Sequence, residues 1–127
     1  MLDLDDVATM ALALAEVTEG IRHGNRTWYV SGKAFAWERP FSKADIRRFG
    51  DEPVPSGPIV AVAVADVGEK EAVLAEQTPG IFTITHFDGY AAVLVQLNVI
   101  GRRAMREALF DAWLACAPSR LTDKHRA

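Results

Sequence analysis

The chain has 127 residues, half of them hydrophobic and 24% charged, and a formal net charge of −3 at pH 7. That length sets a single domain with a core large enough to need no cross-links, the composition excludes a disordered chain, and the acidic balance excludes a general nucleic-acid coat. The single cysteine, Cys116, excludes an internal disulfide, no apolar run reaches the length of a membrane span, and the acidic opening Met1-Leu2-Asp3-Leu4-Asp5-Asp6 is no secretory signal, so a cytoplasmic protein is expected.

Val7, Met10, Ala11 and Leu14 fall at i, i+3, i+4 and i+7, one apolar stripe. They predict a first helix, capped by Asp5 or Asp6, running to about Val17 and closed by Gly20. Arg22 to Trp37 reads as a β-hairpin: two short aromatic strands around Ser31-Gly32, a pair compatible with a tight primed turn. Trp28 and Val30 are expected on one face, Thr27 and Tyr29 on the other, with Phe35 and Trp37 sharing a face on the return strand. Pro40 ends the strand. Ser42 caps a short helix from Lys43 to Phe49, stopped by Gly50. Asp51 to Pro58 is a surface loop.

Ile59 to Ala65 predicts a buried strand whose valines line one face and whose alanines leave the other open to close approach by a helix. A second short helix follows over Asp66 to Gln77. Strands are predicted over Ile81 to Thr85 and Ala91 to Leu97, separated by His86-Phe87-Asp88-Gly89-Tyr90. The last helix runs from Arg102 to Cys116, with Met105, Leu109, Ala112 and Trp113 inward, and Pro118 stops it. The order predicts an α+β fold, a mainly antiparallel sheet with helices on one face. The domain is expected over 1–118, with 119–127 a polar, frayed tail.

Charge is distributed in blocks. Residues 1–21 carry five acids and no base, residues 22–48 seven bases and two acids, residues 49–101 seven acids and one base, and residues 102–127 six bases and three acids. The basic block coincides with the aromatic hairpin. Arg22, His23, Arg26, Lys33, Arg39 and Arg47 are therefore the candidate phosphate ligands, and Trp28 and Trp37 could stack on bases or present an apolar surface to a partner. His86, Asp88 and Tyr90 form a second candidate ligand or partner surface. Arg102, Arg103 and Arg106 open the last helix against its dipole, which suits either an acidic partner or pairing with nearby carboxylates.

No phosphate loop, dinucleotide fingerprint, HExxH or GxSxG occurs, and Cys116 lies on the apolar side of its helix. His86 and Asp88 are two ligands without a third. The sequence therefore points to binding rather than catalysis, with no metal and no cofactor. DNA is the expected partner and a protein or peptide the alternative, for a monomer or weak homodimer.

Three segments carry a family resemblance. Thr18-Glu19-Gly20 followed by Arg22 to Ala36 resembles the opening of MmcQ/YjbR-like proteins, Phe82 to Val95 is similar to their aromatic/His segment leading into a strand, and Leu109 to Pro118 is similar to their terminal helix. The resemblance implies a small α+β fold of the double-wing or secretion-chaperone-like kind, with wings at Trp28 to Trp37 and around Ala91 to Leu97, and a DNA-binding role. The chain departs from the pattern at Asp88-Gly89-Tyr90, where many relatives carry basic or amide residues, and in its acidic net charge.

Overall fold

Asp3 opens the first helix in the computed structural model, which describes residues 1–125. Its carboxylate accepts from the Asp6 N–H and the Asp6 carboxylate accepts from the Asp3 N–H, both at 2.9 Å. The cap thus falls earlier than the Asp5 or Asp6 expected, because a reciprocal box satisfies two helix-end donors at once. The helix, α1 (Leu4–Leu12), buries Val7, Ala8 and Ala11. It does not continue to Val17. Residues Val17–Arg22 form β1, each paired with a residue of β2 (Asn25–Val30). β-branched Val17, Thr18 and Ile21 fit a pleated strand, and a full ladder outweighs the local helical preference.

β3 (Lys33–Glu38) completes a three-stranded meander. Both of its turns have two residues in the left-handed region: His23 at φ 54° with Gly24 at 79°, and Ser31 at 48° with Gly32 at 79°. This is the type I′ geometry, whose twist matches that of the flanking strands. The second hairpin is not regular. Trp28 faces Ala36 while Tyr29 faces Ala34, leaving Phe35 as an extra residue in β3. The bulge puts Phe35 and Ala36 in the same core and turns Trp37 to the opposite face of the sheet. Phe35 and Trp37 therefore do not share a face as simple alternation predicts.

The remaining elements are α2 (Lys43–Phe49), β4 (Ile59–Ala63), α3 (Val67–Ala75), β5 (Ile81–Phe82), β6 (Ala92–Gln96), α4 (Arg102–Cys116) and α5 (Ser119–Thr122). Ser42 caps α2 and Gly50, at φ 59°, ends it. The strand expected to reach Thr85 stops at Phe82, and Thr85–Phe87 coils into a 3-10 turn. The sheet order is β1-β2-β3-β4-β6-β5, every neighbouring pair antiparallel, so the fold is α+β with a mainly antiparallel sheet.

Alternation divides the sheet's side chains. Val60 and Val62 of β4 and Val93 and Val95 of β6 join Trp28, Val30 and Phe35 in a core closed by Val7 and Ala11 of α1 and Met105, Leu109 and Trp113 of α4. Ile59, Ala61, Ala92 and Leu94 face the other way, onto Phe87, with Trp37, Phe41, Phe82 and Ile84 around it. The alanine face is filled by the Phe87 ring rather than by a closely packed helix. A large aromatic on a loop covers it without any helix backbone having to approach.

The expected frayed tail is docked instead. Leu121 and Thr122 are 5% and 1% exposed, Arg120 makes two hydrogen bonds to the Glu16 carboxylate, and the His125 ring stands edge-on to Phe110 and Trp113. Arg126 and Ala127, the end of that expected tail, lie outside the described residues. Among the described residues no helix is long and apolar enough to cross a membrane.

Candidate functional site

The basic hairpin does not present one positive face. Side chains at successive strand positions point to opposite sides, and Arg26 shares the helix-side face of Trp28. There its guanidinium bonds the Glu19 carboxylate twice, Nε to Oε2 at 3.0 Å and Nη2 to Oε1 at 3.2 Å, and Asp5 Oδ1 at 2.9 Å. These contacts raise the Arg26 pKa and hold Glu19 below its ordinary value. Trp28 is fully buried under Arg26, with its indole N–H on Glu19 Oε1 at 2.9 Å. Arg26 and Trp28 are thus structural, and the reading of them as ligands is corrected. A strand-borne arginine beside Glu19 of β1 and within reach of Asp5 of α1 finds those carboxylates first. Lys33 is exposed at the hairpin tip, and its charge acts on Cys116, whose thiol burial pushes up.

The other face holds a cavity of about 520 Å³, lined by Arg22, His23, Trp37, Arg39, Arg48 and His86 together with Asn25, Thr27 and Asp45. Arg22 is exposed, and its guanidinium lies 5.5 Å from the centre of the Trp37 ring. Among the described residues no carboxylate pairs with it. Arg39 bonds Asp45 Oδ2 at 2.9 Å and stacks over Phe87 at 5.5 Å. Arg48 lies 3.6 Å from Asp45 Oδ1 and remains exposed. Asp45 is 3% exposed. Burial pushes its pKa up, but the Ser42 N–H and the Arg39 guanidinium outweigh burial and hold the carboxyl below its ordinary value. Three arginines therefore meet one carboxylate at this cavity, a local excess of cationic charge. Arg47 is exposed on α2 but does not line it.

A second cavity of about 280 Å³ adjoins the first through Asp45, Arg48 and His86, and Phe49, Glu52, Thr85 and Asp88 are also in its wall. His86 and Asp88 therefore share a site, while Tyr90 does not line it. Tyr90 is 49% exposed and sits 6.3 Å from Trp37 and 5.3 Å from Phe87, ring centre to ring centre. Among the described residues no three of His, Cys, Asp and Glu converge as a metal would require.

Three contributors, Asn25, Thr27 and Lys70, escape the sequence reading, in which Arg48 counts only within the basic block. Asn25 and Thr27 had a usable signal, since they occupy the β2 positions alternating with Arg26 and Trp28. Arg48 lies one turn from Asp45. Lys70, the one base among seven acids, is buried in the structure and donates from Nζ to the carbonyls of Phe87 and Tyr90. Burial lowers its pKa while Asp88 opposes that. Lys70 thereby fixes the turn that carries His86 and Tyr90. At the head of α4, Arg102 lies 3.6 Å from Asp6 and Arg103 3.3 Å from Glu107, so two of its three arginines are paired within the fold.

No known family model matches the chain, and no solved structure matches it. It is 44% identical over 124 residues to the uncharacterized proteins Rv2570 of Mycobacterium tuberculosis and Mb2600 of Mycobacterium bovis, an alignment that covers 95% of this chain and 93% of each relative. The chain belongs to the family of these mycobacterial proteins.

Proposed function

We propose that the protein is a DNA-binding protein of the MmcQ/YjbR type that binds rather than catalyses, working in the cytoplasm, and that it holds phosphates in the cavity beside Trp37. The observation that carries this reading is the convergence of Arg22, Arg39 and Arg48 with His23 and His86 on one concavity containing a single carboxylate. Arg22 and Arg48 are the ligands, because both are exposed and Arg22 lies over an aromatic ring with no carboxylate paired to it among the described residues. The acidic remainder of the chain repels a polyanion and directs it to this face. The contact is small, so affinity depends on salt with a log–log slope of about −2 to −3, near one unit per phosphate.

Fluorescence anisotropy of a labelled random-sequence oligonucleotide, titrated at several salt concentrations, tests it. The expected result is binding that weakens along that slope and is lost in the double variant Arg22→Ala, Arg48→Ala. No binding at micromolar protein and low salt overturns it.

A second reading has its own support. Tyr90 is 49% exposed and its ring lies 6.3 Å from that of Trp37 at the cavity, an aromatic fringe that suits a protein segment bearing acidic and aromatic residues. A partner lost on Trp37→Ala but retained on Arg22→Ala would favour that alternative.

A further inference from the structure

We infer that the ligand of this cavity is a single strand, with one unpaired base seated on Trp37, and not duplex DNA. The inference rests on the phosphate-binding reading above and adds the form of nucleic acid.

Three observations carry it. The first is shape. Bases in a duplex are reached by a convex element that enters a groove, whereas here Arg22, Arg39 and Arg48 line a concavity. Its volume of about 520 Å³ falls within the size of small-ligand sites, roughly 300–1,000 Å³, and suits one nucleotide far better than a double helix. The second is the loss of the wing. Arg26 is bound to Asp5 and Glu19, and Lys33 lies on the helix side, so the hairpin cannot present a row of cations along a duplex backbone.

The third is the occupant of the Trp37 face. Arg22 covers that ring at 5.5 Å, and among the described residues no carboxylate pairs with it. A guanidinium over an indole marks a flat, π-accepting seat. The exposed Arg22 side chain can swing from the ring to a phosphate, and the vacated indole then takes a base, which stacks irrespective of its identity. Tyr90, 6.3 Å from Trp37 and half exposed, offers the next ring along the strand. Asn25 and Thr27 at the cavity wall supply donors and acceptors for a base edge.

The test compares dT12, rU12 and a 12-base-pair duplex by anisotropy at one low salt concentration, together with tryptophan fluorescence. The expected result is at least tenfold tighter binding of a single strand than of the duplex, about one stacked base at ~1–3 kcal/mol. Preference for dT12 or for rU12 assigns the sugar, and either supports the inference. Binding is expected to quench the emission of Trp37, since Trp28 and Trp113 are buried. Trp37→Phe, which keeps a ring and protects the fold, should abolish the quench and retain most of the affinity, whereas Trp37→Leu should lose about tenfold for the single strand. Duplex binding equal to or tighter than single-strand binding overturns the inference and leaves the DNA-binding reading standing, as does a quench that survives in Trp37→Phe. Absence of binding to all three probes overturns both.

Discussion

Glu19 holds Arg26 with both of its carboxylate oxygens, at 3.0 and 3.2 Å, while one of them also accepts the Trp28 indole N–H. One acid thus takes out of the recognition surface a cation and an aromatic ring that the sequence places in its midst. Arg26→Ala should lower stability in urea denaturation by about 1 kcal/mol, the worth of a partly exposed charge-assisted contact, and leave oligonucleotide affinity unchanged. Arg22→Ala should do the reverse, costing about fivefold in affinity through one phosphate contact with no change in the urea midpoint. A larger affinity loss for Arg26→Ala contradicts the assignment.

Lys70 reaches across from α3 to two carbonyls of the turn that carries His86 and Tyr90. Lys70→Met keeps the aliphatic stem and removes the ammonium from both carbonyls, which keep the Tyr90 and Ala92 N–H as donors, at a cost of about 1–2 kcal/mol. Hydrogen exchange should show faster opening confined to residues 84–91. Uniformly faster exchange over the whole sheet would mean that the contact holds the core rather than the turn.

Acid should unlock α2 and the first hairpin together. The folded pKa of Asp45 lies below its ordinary 3.8 and that of Glu19 below its ordinary 4.5. Their contributions are complete above those ordinary values and are lost as pH falls through the lower folded ones. Thermal unfolding followed from pH 7 to pH 3 should show Tm falling steeply below about pH 4.5. In Asp45→Asn that fall should be shallower and the neutral-pH stability lower by about 2 kcal/mol, the result of breaking a buried pair with Arg39 and a helix cap.

Asp111 behaves in the opposite sense. Burial raises its pKa, and Glu69, Glu107 and Glu76 raise it further. A raised carboxyl penalises the folded state at high pH, and the penalty disappears as pH falls through the folded value toward the unfolded one. Asp111→Asn is therefore expected to raise stability at pH 7 by a few tenths of a kcal/mol, the scale of surface changes, and to match the wild type at pH 3. Lower Tm at neutral pH would show that the carboxylate has a structural partner.

The α+β architecture was legible because its signals are local and strong. The Met105, Leu109 and Trp113 stripe marks α4, the Ser42 and Gly50 pair bounds α2, and Ser31-Gly32 marks a primed turn. The site was legible only in its residue types. Arg22, His23, Arg39, Trp37 and His86 do meet, whereas Arg26, Lys33 and Trp28 are carried to the other side of the sheet. Which side each residue takes depends on β1, whose hairpin with β2 is hidden behind a helix-like opening, and on the extra residue at Phe35. Neither leaves a periodic trace in the chain. Lys70 shows the same limit: a cation amid acids reads as a surface residue until a loop 17 positions away folds over it.

The slip at Phe35 separates two frames within one hairpin. The tip takes its phase from Ser31-Gly32, whereas the base takes its own from the pairing of Trp37 with Ala61. Removing one residue between Ala34 and Ala36 would erase the slip while leaving the indole where it is. A ribbon shortened by that residue would keep Trp37 in place, provided that β4 stays in register, but would take the buried Phe35 ring out of the core.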